Sequence, residues 1–444
     1  MSGLKIALVS LGCAKNLVDS EIMLAHLQEE EFDLITNPAE AEAVIINTCG
    51  FIESAKQESI NKILELAQLK KKKCQVLLAA GCLAQRYGEE LLIAIPELDG
   101  ILGTNDLQAA AAAIRRTLAG ERVSFLQGEY DAPEDAPRIL ATPTHTAYLK
   151  IAEGCDNLCT YCAIPAIRGP YRSRSRIAVV AEAKQLAQNG VRELNIIAQD
   201  ITPYGLDSSG ELELPILLEE LAQLTGIAWI RLLYAYPERL DPRTIETMAR
   251  LTQVCNYLDL PLQHASDRIL KQMGRKFTAA KMMQLLTQLR QMIPNITLRS
   301  SFIVGFPGET EADFQELLLF LRVAQLDRIG FFAYSQEEGT PAARLPQQIS
   351  AQVKAARLAE AIAVQSEIIT AKQEALVGQS FMAIIDGRSA QEPQTLLLRT
   401  PMQAPEVDGY VRVANCDAAP GTMLPVTITG YDGYDLLGAV ELSH

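Results

Sequence analysis

Cys155, Cys159 and Cys162 stand in the segment EGCDNLCTYCAIPAIRG in a C-x3-C-x2-C arrangement. Three thiolates in one short loop can hold three corners of a cubane iron–sulfur cluster, and a four-iron cluster ordinarily takes four cysteines. Three protein ligands leave one iron open, and an open metal position is where a substrate or cofactor is taken up. A structural zinc site is the plain alternative. It would need a fourth ligand, and none of the four histidines lies in this loop.

A second set of thiols is dispersed. Cys13, Cys49 and Cys82 each end an apolar run (IALVSLGC, AVIINTC, VLLAAGC), and each is followed by a helical stretch. In an open parallel sheet such positions gather at the carboxyl edge, where these folds bind ligands. Gly12 and Gly81 precede two of them and would let the backbone approach closely. Position alone also fits three inert buried cysteines, a common fate for a free thiol. Cys74, Cys255 and Cys416 are read that way; Cys74 comes before its strand rather than after it.

The elements that must position these groups fall into three blocks, an α/β multidomain fold. Residues 1–126 alternate apolar runs (Lys5–Leu11, Phe32–Thr36, Ala43–Asn47, Gln75–Ala80) with helical segments (Asp19–Glu30, Glu53–Lys70), which predicts a parallel α/β sheet. Residues 127–146, with Pro133, Pro137 and Pro143, read as a linker. Residues 147–375 carry six strand candidates: Tyr148–Ala152, Glu193–Ala198, Trp229–Tyr234, Tyr257–Leu262, Thr297–Val304 and Arg328–Ala333. Each is followed by a helical stretch, which predicts a partial (β/α)6 barrel with its chemistry at the C-terminal strand ends. Ser350–Ala375 reads as one long helix. Residues 376–444 switch to short β-like runs between Gly, Pro, Asn and Asp, a small all-β barrel.

Bulk properties narrow the classes. The chain has 444 residues, 48% of them hydrophobic, and no apolar run approaches the roughly 18 residues that span a bilayer. The N-terminus lacks a basic region and a small-residue cleavage site, so a cytoplasmic protein is expected. In a reducing compartment, nine cysteines grouped this way suit metal binding or chemistry better than a disulfide framework. A net charge of −14 disfavours nonspecific binding to polyanions. The chain carries no Ser–His–Asp arrangement and no P-loop. His264, at a strand end, reads as a structural hydrogen-bonder, and Lys70–Lys73 as a solvated helix end. Arg168, Arg172, Arg174 and Arg176 form a basic run that would face an acidic substrate, a nucleic-acid backbone or solvent.

The loop cysteines and the six β/α units resemble the radical S-adenosylmethionine superfamily. The resemblance implies that the open iron binds the amino and carboxylate groups of S-adenosylmethionine and that one-electron reduction releases a 5′-deoxyadenosyl radical. SLGCAKNLVDSE, INTCGFI and AAGCLAQRY are similar to the N-terminal signature of the methylthiotransferase family, in which the matching cysteines hold an auxiliary four-iron cluster with its own open site. The likeness spans the whole chain in one order: cluster domain, radical barrel, TRAM β-domain. It implies two 4Fe-4S clusters as cofactors, on Cys155, Cys159 and Cys162 and on Cys13, Cys49 and Cys82, together with S-adenosylmethionine and an external electron donor.

AQDITPYG, LLYAYPERL, LDLPLQHASD, SFIVGFPGETE and YSQEEGTPA resemble the branch that adds a methylthio group to an aspartate of the twelfth protein of the small ribosomal subunit. The tRNA-modifying branch typically differs at AQDITPYG. Tyr161 matches an aromatic position that the superfamily places beside the cofactor's adenine. Gln199, Gln263 and Arg299, at or near strand ends, are expected to meet its ribose or carboxylate. Gly305, followed by Gly308 and Glu309, lies just past the fifth strand, where the resemblance implies another contact. No side chain is expected to act as an acid or base; the chemistry belongs to the clusters.

The β-module bears on the partner. From Leu376 onward it carries eight acidic residues (Asp386, Glu392, Glu406, Asp408, Asp417, Asp432, Asp435, Glu441) against Arg388, Arg399 and Arg412, a balance of −5. That charge opposes an RNA backbone and suits a basic ribosomal protein. A tRNA methylthiotransferase with the same chemistry and a non-catalytic iron–sulfur carrier are the competing readings.

Overall fold

In a computed structural model, which describes residues 3–128 and 136–440, the chain divides into two compact units. One comprises Met1–Ala141, Ala152–Val179 and Ser335–Ala343; the other comprises Thr142–Ile151, Val180–Tyr334 and Arg344–His444. Pro133 of the linker and Glu441 of the β-module lie outside the described residues.

The first unit is built on a parallel sheet of β1 (Lys5–Ser10), β2 (Asp33–Leu34), β3 (Ala43–Thr48), β4 (Val76–Gly81), β5 (Gly100–Leu102) and β6 (Val123–Phe125), in the order β2-β1-β3-β4-β5-β6. β3 and β4 are buried along their whole length, which is why AVIINT and VLLAAG read as continuous apolar runs. The helices between strands are α1 (Ala14–Glu29), α2 (Glu53–Ala67), α3 (Cys82–Tyr87), α4 (Glu89–Ala94) and α5 (Ala110–Leu118). The strand order reverses between β1 and β3, and the carboxyl edge of such a switch point is a ligand crevice. Of the linker, Ile139 N donates to Glu21 O at 3.1 Å and Ala141 N to Glu21 Oε1 at 2.7 Å, which straps the segment along α1.

β7 (Thr146–Lys150) opens the second sheet. A two-stranded antiparallel ribbon follows in the first unit, β8 (Ala152–Glu153) with β9 (Arg172–Ser173), enclosing α6 (Ile164–Arg168); α7 (Arg176–Gln188) comes next. The second sheet continues with β10 (Glu193–Ile197), β11 (Trp229–Leu232), β12 (Val254–Asp259), β13 (Thr297–Val304) and β14 (Arg328–Ala333). Its strands are parallel and pair in chain order from β7 to β14, the winding of a partial barrel. Its helices are α8 (Leu214–Ala222), α9 (Pro242–Arg250), α10 (Asp267–Gln272), α11 (Ala279–Met292) and α12 (Glu311–Ala324). Sequence signals start several of them: Asp241 caps α9 ahead of Pro242, and Thr310 with Asp313 forms a capping box on α12.

The single long helix is α13 (Ala351–Leu376). It leads into a closed barrel of β15 (Ser380–Arg388), β16 (Thr395–Arg399), β17 (Val411–Ala414), β18 (Met423–Asp432) and β19 (Asp435–Ala439), ordered β15-β16-β17-β19-β18. Closure leaves no unpaired edge, and Ile385, Leu398, Val413, Val426 and Ile428 fill its interior.

This small barrel meets the strand starts of the second sheet through buried charge. Glu193, first in β10, accepts from Arg399 of β16 at 2.6 and 2.9 Å and from Arg231 of β11 at 3.1 Å. Asp386 accepts from Arg399 at 2.5 Å and lies 2.8 Å from His145 Nε2. Burial works against the Glu193 carboxylate, but the two guanidinium groups outweigh it and hold its pKa at about 2. Tyr257 donates to Asp408 at 2.5 Å. The acidic surplus of the β-module is therefore partly internal: Asp386 and Asp408 face the sheet, as does Arg399. No helix among the described residues is long and apolar enough to cross a membrane.

Candidate functional site

The dispersed cysteines occupy equivalent places. Cys13 follows β1 and caps α1, Cys49 follows β3, and Cys82 follows β4 as the first residue of α3. β1, β3 and β4 are adjacent, so the three thiols gather at one stretch of the carboxyl edge, beside the switch point. Close backbone packing holds them. A Cβ added at Gly12 (φ +93°) would lie 2.7 Å from Cys49 Cβ, and one at Gly50 would lie 2.9 Å from Cys82 O. Gly81 (φ +87°) leaves only 2.1 Å between such a carbon and Asn47 Oδ1. Ser59 clasps Cys49, accepting from its N–H and donating to its carbonyl, both at 3.0 Å.

The electrostatics of this trio are uneven. Burial opposes ionisation of Cys13, but Lys15, Arg168 and nearby backbone N–H groups outweigh it and hold the thiol below its ordinary pKa. Burial pushes Cys49 up to about 12, with repulsion from Cys82 and Cys13 adding to it. Burial also raises Cys82, against the pull of Arg168.

The contiguous cysteines lie between β8 and α6 in a loop pinched at its base by the Glu153–Arg172 pairing. Gly154 (φ +80°) begins it, and a Cβ there would lie 2.0 Å from Pro170 O, so only glycine fits. Cys155 N donates to Gly169 O at 3.1 Å, and Cys162 N to Cys159 O at 3.2 Å. Burial, with the neighbouring Cys159 and Cys155 thiols, pushes Cys162 up to about 12.

Each trio sets three thiols near one another, on backbone that glycines keep close, a donor set that three corners of a cubane would take. Among the described residues no group of three His, Cys, Asp or Glu side chains is arranged around a single metal ion. A cubane presents its irons at separate corners, so its thiolates stand further apart than the ligands of one ion.

Arg168 departs most from the sequence reading. It is 2% exposed and turned inward, not towards solvent or a polyanion. Its guanidinium donates to Asp19 Oδ2 at 2.7 Å, Glu153 Oε2 at 3.1 Å, Asn16 Oδ1 at 2.5 Å and Cys82 Sγ at 3.3 Å. Asn16, Asp19, Ser59 and Glu153 were not singled out from the sequence as residues of the site. The one available signal was the N-x-x-D spacing in CAKNLVDSE, which puts Asn16 and Asp19 on one helix face.

The expected cofactor contacts are distributed as follows. Tyr161 is half-buried in the cysteine loop of the first unit. Gln199 lies two residues past β10. Gln263 adopts φ +73° and bridges to Phe302, its N–H donating to Ser301 O at 2.8 Å. Gly305 (φ +71°) follows β13 directly and donates to Glu309 Oε2 at 2.8 Å. Gln199, Gln263 and Gly305 thus share the C-terminal end of the second sheet. Arg299 does not: it is third in β13, its guanidinium 2.9 Å from Asp259 and 3.4 Å from Asp408. That engagement speaks against a cofactor carboxylate as its partner. His264 is fully buried, its Nδ1 accepting from Ser266 N at 2.9 Å and its Nε2 3.4 Å from Glu309, as befits a structural histidine. Cys74, Cys255 and Cys416 are buried apart from both trios.

Three family models match the chain: "Uncharacterized protein family UPF0004" over residues 5–103, "Radical SAM superfamily" over 149–321 and "TRAM domain" over 377–440. A protein of Desulforudis audaxviator named "Ribosomal protein uS12 methylthiotransferase RimO" is 49% identical over 98% of this chain and 97% of its own length. One of the same name from Geobacter sulfurreducens is 45% identical over 98% of each. Among solved structures, the radical S-adenosylmethionine methyltransferase TsrM of Kitasatospora setae matches with TM-score 0.58 and 14% identity, covering 82% of this chain and 89% of that one. The cobalamin-dependent radical enzyme OxsB matches with TM-score 0.51 and 11% identity, covering 90% of this chain and 60% of that one. At such identities these two structures speak to the fold alone.

Proposed function

We propose a division of labour within this chain from one premise: the chain belongs to the family of ribosomal protein uS12 methylthiotransferases, RimO. It is a radical S-adenosylmethionine enzyme that transfers a methylthio group to ribosomal protein uS12, the twelfth protein of the small subunit, with the β-carbon of an aspartate as target. That carbon is unactivated and lies beside a carboxylate, so acid–base chemistry at neutral pH cannot readily remove its hydrogen; a primary carbon radical can. When bound, the group on the loop thiols supplies reductive cleavage of S-adenosylmethionine, and the group on the dispersed thiols supplies sulfur.

The chain's own residues hold and orient. Cys155, Cys159 and Cys162 would carry one 4Fe-4S cluster, and Cys13, Cys49 and Cys82 the other. Tyr161, Gln199, Gln263 and Gly305 would seat S-adenosylmethionine, while Arg299 is held by Asp259 and Asp408. Burial of Cys49 and Cys82 and the close-packed glycines beside them would keep water from the dispersed centre. Residues 1–126, 147–375 and 376–444 would act as cluster domain, radical domain and TRAM domain. The reaction needs an external electron donor and would take place in the cytoplasm.

One observation carries the reading: three cysteines from three separate strand ends gather at one sheet edge, in a chain related to uS12 methylthiotransferases along its whole length. The test is anaerobic reconstitution, then incubation with S-adenosylmethionine, a reductant, uS12 and tRNA. The expected result is uS12 heavier by one methylthio group, seen by mass spectrometry. Methylthiolated tRNA beside unmodified uS12 would overturn the choice of substrate.

A further inference from the structure

Arg168 belongs to the contiguous cysteine loop by sequence and to the dispersed cysteines by contact. It ends α6, the helix that closes the loop. Its Nη1 binds Glu153 Oε2 at 3.1 Å, and the other Glu153 oxygen accepts from Gly154 N at 3.3 Å, one residue before Cys155. Its Nη2 lies 3.3 Å from Cys82 Sγ and 2.5 Å from Asn16 Oδ1. Asn16 donates in turn to Leu11 O at 3.1 Å and Thr48 O at 2.9 Å, the backbone just before Cys13 and Cys49. One Arg–Asn pair therefore touches all three dispersed strand ends and, through Glu153, the entry to the loop.

A guanidinium is always charged at ordinary pH. Inside a protein its field on a neighbouring sulfur is far less screened than in water. Hydrogen bonds to the sulfurs and net local charge are among the levers that set the potential of an iron–sulfur cluster. We propose that Arg168 is a positioning residue that couples the two cysteine centres, its fixed charge setting the electrostatic environment of the dispersed one from within the loop of the other. This rests on the reading that Cys13, Cys49 and Cys82 hold a cluster.

The test isolates that cluster in the full chain by replacing Cys155, Cys159 and Cys162 with alanine, reconstituting with iron and sulfide, and titrating the midpoint potential by electron paramagnetic resonance. Arg168→Gln in this background should lower the midpoint, because reduction adds negative charge that the guanidinium no longer offsets. Arg168→Lys, which keeps the charge but loses the fork, should restore most of the shift. A merely packing role would not move the potential, so a midpoint equal to the parent's in Arg168→Gln overturns the proposal. Should Arg168→Gln fail to fold, Glu153→Gln gives the opposite sign: with one competing carboxylate gone, the midpoint should rise, and an unchanged value overturns the proposal. A parent background that binds no cluster refutes the ligand assignment itself, a result distinct from any effect of Arg168.

Discussion

The two cysteine trios reach the same donor set by opposite routes. Cys155, Cys159 and Cys162 come from one stretch of backbone, and their arrangement depends on a local closure: the β8–β9 pairing and Gly154. Cys13, Cys49 and Cys82 have no relation until β1, β3 and β4 pair. The first trio costs little loop-closure entropy to gather; the second exists only as a product of the folded sheet. The dispersed trio is thereby fixed in place by the pairing of three strands, two of them buried throughout, while the loop trio needs only its own ring of backbone.

The sharpest way to separate them is by product. Cys155→Ala should reduce 5′-deoxyadenosine formation to background. Cys82→Ala should leave that cleavage measurable and abolish methylthio transfer, both read by liquid chromatography with mass spectrometry. If Cys82→Ala stops cleavage as well, the two centres are not separable as described. Next in size are the glycines. Gly154→Ala puts a carbon 2.0 Å from Pro170 O, and Gly12→Ala puts one 2.7 Å from Cys49 Cβ. Each should cost one cluster's worth of iron on reconstitution, and not the same one: Gly154→Ala should lose cleavage, Gly12→Ala only transfer.

Thiol chemistry of the metal-free protein gives a third measure. A thiol pushed up to about 12, as Cys49 and Cys162 are, is ionised to about one part in 10⁴ at pH 8. Cys13, held below its ordinary value, should be alkylated at least about 100-fold faster than either. Its rate should level off at a lower pH, while theirs keep rising through the alkaline range. Peptide mapping after timed iodoacetamide exposure checks this, and equal rates would refute the uneven electrostatics of the dispersed trio. The smallest effect belongs to Ser59→Ala, which frees both backbone groups of Cys49 and should cost about 1 kcal/mol in denaturant titration, with cleavage chemistry unaltered.

Much of this architecture was legible in the sequence because it follows from hydrophobic pattern. Thr297–Val304 and Arg328–Ala333 form strands over the expected residues, and β3 and β4 fill the runs that read as fully apolar. β5 and β6 were not seen: three-residue strands carry no measurable periodicity. α1 begins at Ala14, ahead of the expected start, because Cys13 caps it without a side-chain bond and so leaves no capping signal.

At the site, the cysteines were legible and their environment was not. Arg168 opens a basic run that would face an acidic substrate, a nucleic-acid backbone or solvent, yet it is buried by partners as far off in the chain as Asn16. The charge balance of the β-module pointed to a basic ribosomal protein, in line with the relatives named for uS12, but it did not show which charges lie on the surface. Composition adds all charges alike, while Asp386, Asp408 and Arg399 have turned inward. Neither outcome can be read from residue type, because burial of a charge is decided by partners that only the tertiary structure supplies.

The bond between Glu193 and Arg399 spans 206 residues of chain. Seen from the ribosome that makes this protein, the sheet is complete while its strand starts still wait for that cation, which emerges with β16. Arg231 alone must balance Glu193 until then, so final locking of the sheet waits for the synthesis of β16. A chain halted at Leu376 should show this as faster limited proteolysis at the strand starts. The β15–β19 barrel is thus a late seal on the sheet that precedes it in the chain.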